Sequence, residues 1–288
     1  ADSPLQGVLE SRVANIGIWS NWVPPGWRLG GRLRTTASFG GTLGAPELRG
    51  EMEGSGLAVR NVLEGVNLTD GDLAISLQGD RATIDRFTLQ GGEGRLTVTG
   101  GATLGAHPAL AVQLDAQRFR VLGRIDRRIV VSGGTALTLD AERLVANGRL
   151  TIDEGLIDVS RSDAPTLDAD VRVRRRGDDE AAARGPRSTA LPAPLRQAQV
   201  TLALDLGERL RLRGRGLDTG LTGELTVSTP GGRLALAGTV RSAGGTYAAY
   251  GQKLDIERGL LVFTGPTDNP GLDILALRPD IDLQVGVA

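Results

Sequence analysis

His107 is the single histidine of this 288-residue chain, and Pro108 follows it directly. A lone histidine in such a loop reads as a solvated side chain, and it leaves no His-based triad and no multi-histidine zinc site to assemble. Cysteine is absent, so disulfide and thiolate chemistry are excluded. Lys253, the only lysine, lacks the glycine-rich lead-in that a phosphate-binding loop requires. Gly92-Glu-Gly94 and Gly214-Arg-Gly216 lack a third glycine and a following helix, and read as turns. Asp70-Gly71-Asp72 has the look of a calcium-loop fragment, yet no glutamate stands where an EF-hand needs one, so a hairpin turn explains it better. The chain reads as no enzyme, and neither metal nor cofactor is expected.

The remaining polar features are softer. Arg209, Arg211, Arg213 and Arg215 share one strand face, with Leu210 and Leu212 pointing the other way. Such a strip either contacts phospholipid head groups or an acidic partner, or simply keeps an outer face soluble; the second reading is favoured. No nucleic acid is expected as a partner, because the net charge is −1 and no aromatic platforms are interleaved with the arginines. Tyr247 and Tyr250 read as structural residues that bury a ring and wet a hydroxyl. Trp19, Trp22 and Trp27 either cap one end of the sheet or anchor a short helix to it.

Short strands are the elements that carry these residues. Apolar residues alternate with polar ones at Leu57 and Val59, at Leu73, Ile75 and Leu77, at Leu96 and Val98, and onward, with glycine or Asp-Gly breaks between the runs. Glycine is abundant at 42 residues, while aromatics number only nine, which suits a thin extended sheet better than a globule. A weak repeat recurs at Gly94-Arg-Leu96-Thr-Val98, Gly148-Arg-Leu150-Thr-Ile152, Gly223-Glu-Leu225-Thr-Val227 and Gly232-Arg-Leu234-Ala-Leu236, as in stacked rungs. Residues 1–30, with loose helical spacing from Val13 to Trp22, ended by Pro24-Pro25-Gly26, and with all the tryptophans, read as an N-terminal helical cap. Residues 31–288 read as one continuous sheet, interrupted by a charged, Pro- and Ala-rich mobile loop at 174–197. The first and last residues look like cuts in a longer protein. No apolar run approaches the roughly 18 residues of a membrane-spanning helix.

Counting alternating runs gives about 20 strands and, at ~4.8 Å each, a stack roughly 90–100 Å long. An open flat sheet of that size should curl or split. The expected fold is therefore all-β: a long U-shaped sheet with an apolar concave groove, its bends supplied by glycine. Candidate groove residues are Leu202, Leu204, Leu206, Leu210, Leu212, Leu225, Val227, Leu234, Leu236, Leu254, Ile256, Leu260, Val262, Leu272 and Ile274. Such a face is either an ordinary core face covered by a second sheet or, uncovered, a binding surface. No second set of elements stands out that could cover so long a face. The ligand that fits an aliphatic trough is a hydrocarbon chain: at about 0.8 kcal/mol per CH₂, a 16-carbon chain gains on the order of 12 kcal/mol over water. Near-identical rungs would let that chain slide.

The C-terminal stretch carries a resemblance. Tyr247-x-x-Tyr250-Gly251-Gln252-x-Leu254-x-Ile256 comes first, then Gly259-x-Leu261-x-Phe263-x-Gly265-Pro266. Asn269-Pro270-x-Leu272-Asp273-Ile274-x-Ala276-x-Arg278 completes the order. This run resembles the C-terminal signature of the TamB family of Gram-negative envelope proteins. The resemblance implies a U-shaped sheet known as a β-taco, a periplasmic location with an inner-membrane anchor, phospholipid as cargo, and an outer-membrane β-barrel partner of the TamA type. It also leaves a rival open, an assembly factor for outer-membrane barrels and autotransporters that works by edge-strand pairing. A passive spacer is a third reading.

Overall fold

The computed structural model describes residues 4–42, 45–104, 108–140, 143–160, 198–249, 251–266, 269–278 and 286–287. His107, Tyr250 and the segment 174–197 lie outside the described residues. The chain opens with β1 (Gly7–Val13), the 3₁₀ helix Ile16–Trp22, β2 (Arg28–Thr42) and β3 (Ala45–Asn61). Next come β4 (Val66–Gly79), β5 (Arg81–Gly91), β6 (Gly94–Thr103), β7 (Ala109–Gly123), β8 (Arg127–Leu139) and β9 (Leu144–Asp158). After 161–197 follow β10 (Gln199–Asp205), β11 (Leu210–Gly214), β12 (Leu217–Ser228), β13 (Ala235–Ala249), β14 (Gln252–Pro266), β15 (Gly271–Leu277) and β16 (Gly286–Val287). All sixteen join one sheet in chain order.

Pairing is antiparallel throughout, except where β9 meets β10 and β11 in parallel. β10 and β11 both lie between β9 and β12 and so share one lane. The fifteen lanes span roughly 65–70 Å at the usual strand spacing. Sequence patterning predicts more strands than the described residues form, because several small-residue breaks fall inside strands. Ser55-Gly56 sits within the 17-residue β3, and Asp70-Gly71 lies within β4 instead of closing a hairpin.

Those internal breaks are what shape the sheet. Register shifts occur at Gly30/Arg32 in β2, Ser55/Leu57 in β3, Thr69/Asp72 in β4 and Ile84/Thr88 in β5. The series resumes at Ala116/Phe119 in β7, Val130/Val131 in β8, Thr219/Gly220 in β12 and Ile256/Arg258 in β14. In the β10–β11 lane the strand is interrupted outright between Asp205 and Leu210. An inserted residue bends its strand and sharpens its twist. Aligned from lane to lane, these bends crease the sheet lengthwise into a long arm and a short arm. In β3, for example, 45–55 belong to the long arm and 57–61 to the short one. Gly56 and Gly244 take left-handed backbone at the crease (φ 59° and 68°), which glycine adopts freely. Asp70 and Arg118 take it too (φ 52° and 46°), at a cost of roughly 1–2 kcal/mol for a residue with a Cβ.

The buried core is the strip along this crease. Phe119, Val131, Ile152, Leu210 and Val240 form a buried cluster there, with Ile129, Ile157 and Leu225 packed against it. Phe119 of β7 lies over Gly91 of β5, two lanes away, where any side chain would collide with its ring. The short β5–β6 hairpin leaves room for its longer neighbours to meet above it: the Gly123 amide donates to the Gly65 carbonyl at 2.8 Å.

The N-terminal segment combines a strand with the expected helical turn. Among the described residues β1 pairs only with Leu33–Phe39 of the long arm of β2. The 3₁₀ helix then occupies the short-arm side, where Asn15 caps it by accepting from the Gly17 amide at 2.8 Å. The Ser20 hydroxyl accepts from the Leu29 amide and ties the helix to β2.

Candidate functional site

Residues paired directly across neighbouring strands point to the same face of a sheet, so register defines which side chains line the inside of the crease. One lateral row runs Leu89, Leu96, Ala116, Gly133, Leu150, Leu204, Leu225, Gly238 and Phe263 through nine consecutive lanes. A second row, higher on the long arm, runs Thr35, Met52, Ile75, Ile84, Gly100, Val112, Leu137, Ala146 and Val200. Aliphatic side chains and glycines fill both rows almost without exception. The opposite sides of the same strands carry Arg34, Glu53, Arg86, Gln113, Asp115, Arg149, Asp205 and Glu224. The result is an apolar trough with a polar outer skin. No side chain among the described residues is completely buried, so the trough is packed solid only at its floor.

Eleven of the candidates share the inner face: Leu202, Leu204, Leu210, Leu212, Leu225, Val227, Leu236, Leu254, Ile256, Leu272 and Ile274. Leu206, in the β10–β11 interruption, is buried in the crease core beside Leu210. Leu272, on β15, is 64% exposed. Leu234 precedes β13 and is 58% exposed, outside any strand pairing.

Leu260 and Val262 are corrected by the register. They pair with Arg241 and Thr239 on the outer skin, while Leu261 and Phe263 take the inner positions. The bulge at Ile256/Arg258 inserts a residue and inverts the parity that Leu254 and Ile256 establish. Arg258 standing at an even position, among even-numbered apolar residues, was the available signal. Sequence patterning also missed the whole N-terminal half of the trough, from Met52 to Leu137. Among the repeat motifs, Leu96, Leu150 and Leu225 occupy one row, so three of the repeats are literally rungs.

On the outer skin, Asp218 of β12 accepts from Arg211 Nε at 2.6 Å and from Arg213 Nε at 3.3 Å. The sheet itself thus supplies a partner for two of the strip's arginines, Arg211 and Arg213. The hydrogen bond from Arg211 holds the Asp218 carboxyl below its ordinary value of 3.8. A depressed carboxylate contributes stability that is present above its unfolded value and is lost as pH falls through the folded one. The contribution of this exposed cluster is small. Asp218→Asn should therefore lower the melting temperature slightly at neutral pH, and the gap to the unsubstituted protein should close between pH 4 and more acidic conditions. A melting series over that range checks the sign.

Among the described residues no group of three His, Cys, Asp or Glu side chains could hold a metal ion. No described helix is long and apolar enough to cross a membrane.

Fold and site together define a class: a creased, open-sided β-sheet with a lengthwise aliphatic trough. The family model of the TamB C-terminal domain matches residues 80–288, and the chain belongs to the TamB family. It is similar to the translocation and assembly module subunit TamB of Haemophilus influenzae, with 26% identity over 284 residues. That alignment covers 95% of this chain and 21% of the relative, so the chain spans about a fifth of that protein's length.

Proposed function

We propose that the trough is a conduit for phospholipid acyl chains crossing the periplasm between the inner and outer membranes of a Gram-negative envelope. One observation carries this reading: an aliphatic row continues through nine lanes with no polar side chain to stop a sliding chain. Cross-strand neighbours stand about 5 Å apart, so each rung presents much the same surface as the last. Selectivity for the head group would be low, because the wall offers it few hydrogen-bonding groups. In this reading the full-length protein is held at the inner membrane and meets a TamA-like outer-membrane barrel.

Lipid extraction and mass spectrometry of protein purified without detergent supply the test. Phospholipid should co-purify, and a photoreactive residue at Leu202 should crosslink to it while one at Thr201, on the outer skin, should not. Protein free of lipid, or crosslinks equal at both positions, would sink the conduit.

A second reading draws support from the edge of β1, unpaired among the described residues, and from the name of the Haemophilus relative, a translocation and assembly module subunit. An unpaired edge can receive strands of a barrel protein in transit. Proline at Leu9 or Ser11 would block such pairing without touching the trough floor. Loss of barrel assembly with lipid movement intact would favour this reading over the conduit.

A further inference from the structure

The rim of the short arm carries a set of side chains that turn chemistry does not explain. Tight turns favour Gly, Asn, Asp, Ser and Pro, and the β5–β6 and β11–β12 turns obey with Gly92-Glu93 and Arg215-Gly216. The β3–β4 turn instead holds Val62 and Leu63, 86% and 70% exposed, and the β7–β8 turn holds Ile125, 84% exposed. These two turns are fastened together. The Gly123 amide donates to the Gly65 carbonyl, and Arg124 donates to the Leu63 carbonyl and to Asp126. The buried Asn61 side chain accepts from the Glu64 amide and sets the first turn. The aliphatic tips are therefore held outward by a rigid frame.

The 3₁₀ helix adds to the same rim. It leads into β2 at Arg28, which pairs directly with Arg60 at the entrance to the β3–β4 turn, and a Cβ at Gly26 would come into contact with Asn61. On this helix Trp22 is 84% exposed and stacks its ring on Trp19, and Ile18 is exposed as well. Arg28 and Arg60 are like charges facing each other, and neither makes an ion pair among the described residues. An arrangement of that kind costs energy unless an anion bridges it.

We propose that this rim is an interfacial docking site for an anionic phospholipid bilayer: Trp22, Val62, Leu63 and Ile125 enter the head-group and acyl boundary, and Arg28 and Arg60 meet lipid phosphates. Amphipathic indole rings and snorkelling arginines around aliphatic tips are the groups suited to that boundary. A protein partner fits less well. Stable protein interfaces bury about 800 Å² per side on a broad complementary surface, whereas this patch is a row of protruding tips. The sheet's short-arm edge would then lie against a membrane surface, whichever cargo the trough takes.

Co-sedimentation of the protein with vesicles of phosphatidylcholine, with and without phosphatidylglycerol, tests the proposal. The protein should pellet with the anionic vesicles, and the triple change Val62→Ser, Leu63→Ser, Ile125→Ser should reduce binding by about tenfold or more. Those side chains are exposed, so circular dichroism melts should match the unsubstituted protein. Arg28→Gln with Arg60→Gln should remove the preference for anionic lipid. Brominated lipid should quench Trp22 emission, read against Trp22→Phe. Vesicle binding equal in the triple variant, no binding by the original protein, or no quenching of Trp22 would each overturn the proposal. So would gel filtration showing a dimer that the triple variant dissolves, since the tips would then be a protein contact. Leu236→Arg, which alters the trough, should leave vesicle binding unchanged, so the two readings fail separately.

Discussion

Leu236→Arg should leave the sheet folded and reduce bound phospholipid by about 100-fold. Leu236 pairs with Val227 and Gly265 on the inner face, near the open rim, and is only half-buried. A guanidinium there can reach solvent along its own aliphatic stem, so the fold bears it. An alkyl chain in the trough must instead withdraw from the charge. Losing contact for four methylenes costs about 3 kcal/mol, hence the factor of roughly 100. Ala237→Arg is the matched control, one residue away and on the outer skin beside Thr226 and Thr264. It should carry as much lipid as the original protein. Quantitative lipid mass spectrometry on both variants checks the contrast, and equal loss in both would mean that any added charge disturbs the sheet.

Phe119→Ala should be the most damaging single truncation, at about 3–5 kcal/mol. Its ring is buried at the floor, over Gly91, and belongs to the core cluster along the crease. Nothing nearby can collapse into the space, because the Gly91 position lacks a side chain by necessity. Urea titration should show a lower midpoint with little change in slope. Val262→Ala, a truncation on the outer skin, should cost less than about 1 kcal/mol. A similar midpoint shift for both variants would deny the crease its role as the core.

Period-two alternation made the apolar face legible over stretches such as Leu202, Leu204 and Leu225, Val227, because those lie between bulges and keep their parity. It failed at Leu260 and Val262 because a bulge adds one residue and leaves composition unchanged. The same devices hid strand lengths: Ser55-Gly56 and Asp70-Gly71 look like turns and are bends. Family likeness supplied the overall form, but no local pattern pointed to the alignment of those bends in successive lanes. Nor did anything in the sequence tie the turn at Val62 to the turn at Ile125, since that contact depends on the short β5–β6 hairpin between them.

The crease makes the molecule mechanically anisotropic. Along its length, lane is joined to lane by backbone hydrogen bonds, so stretching it breaks many strong links at once. Across its width, the two arms share each strand's backbone at the crease and are otherwise held together chiefly by side-chain packing at the floor. Spreading the arms sacrifices dispersion contacts and leaves every ladder intact. Such a body resists tension from end to end while yielding sideways.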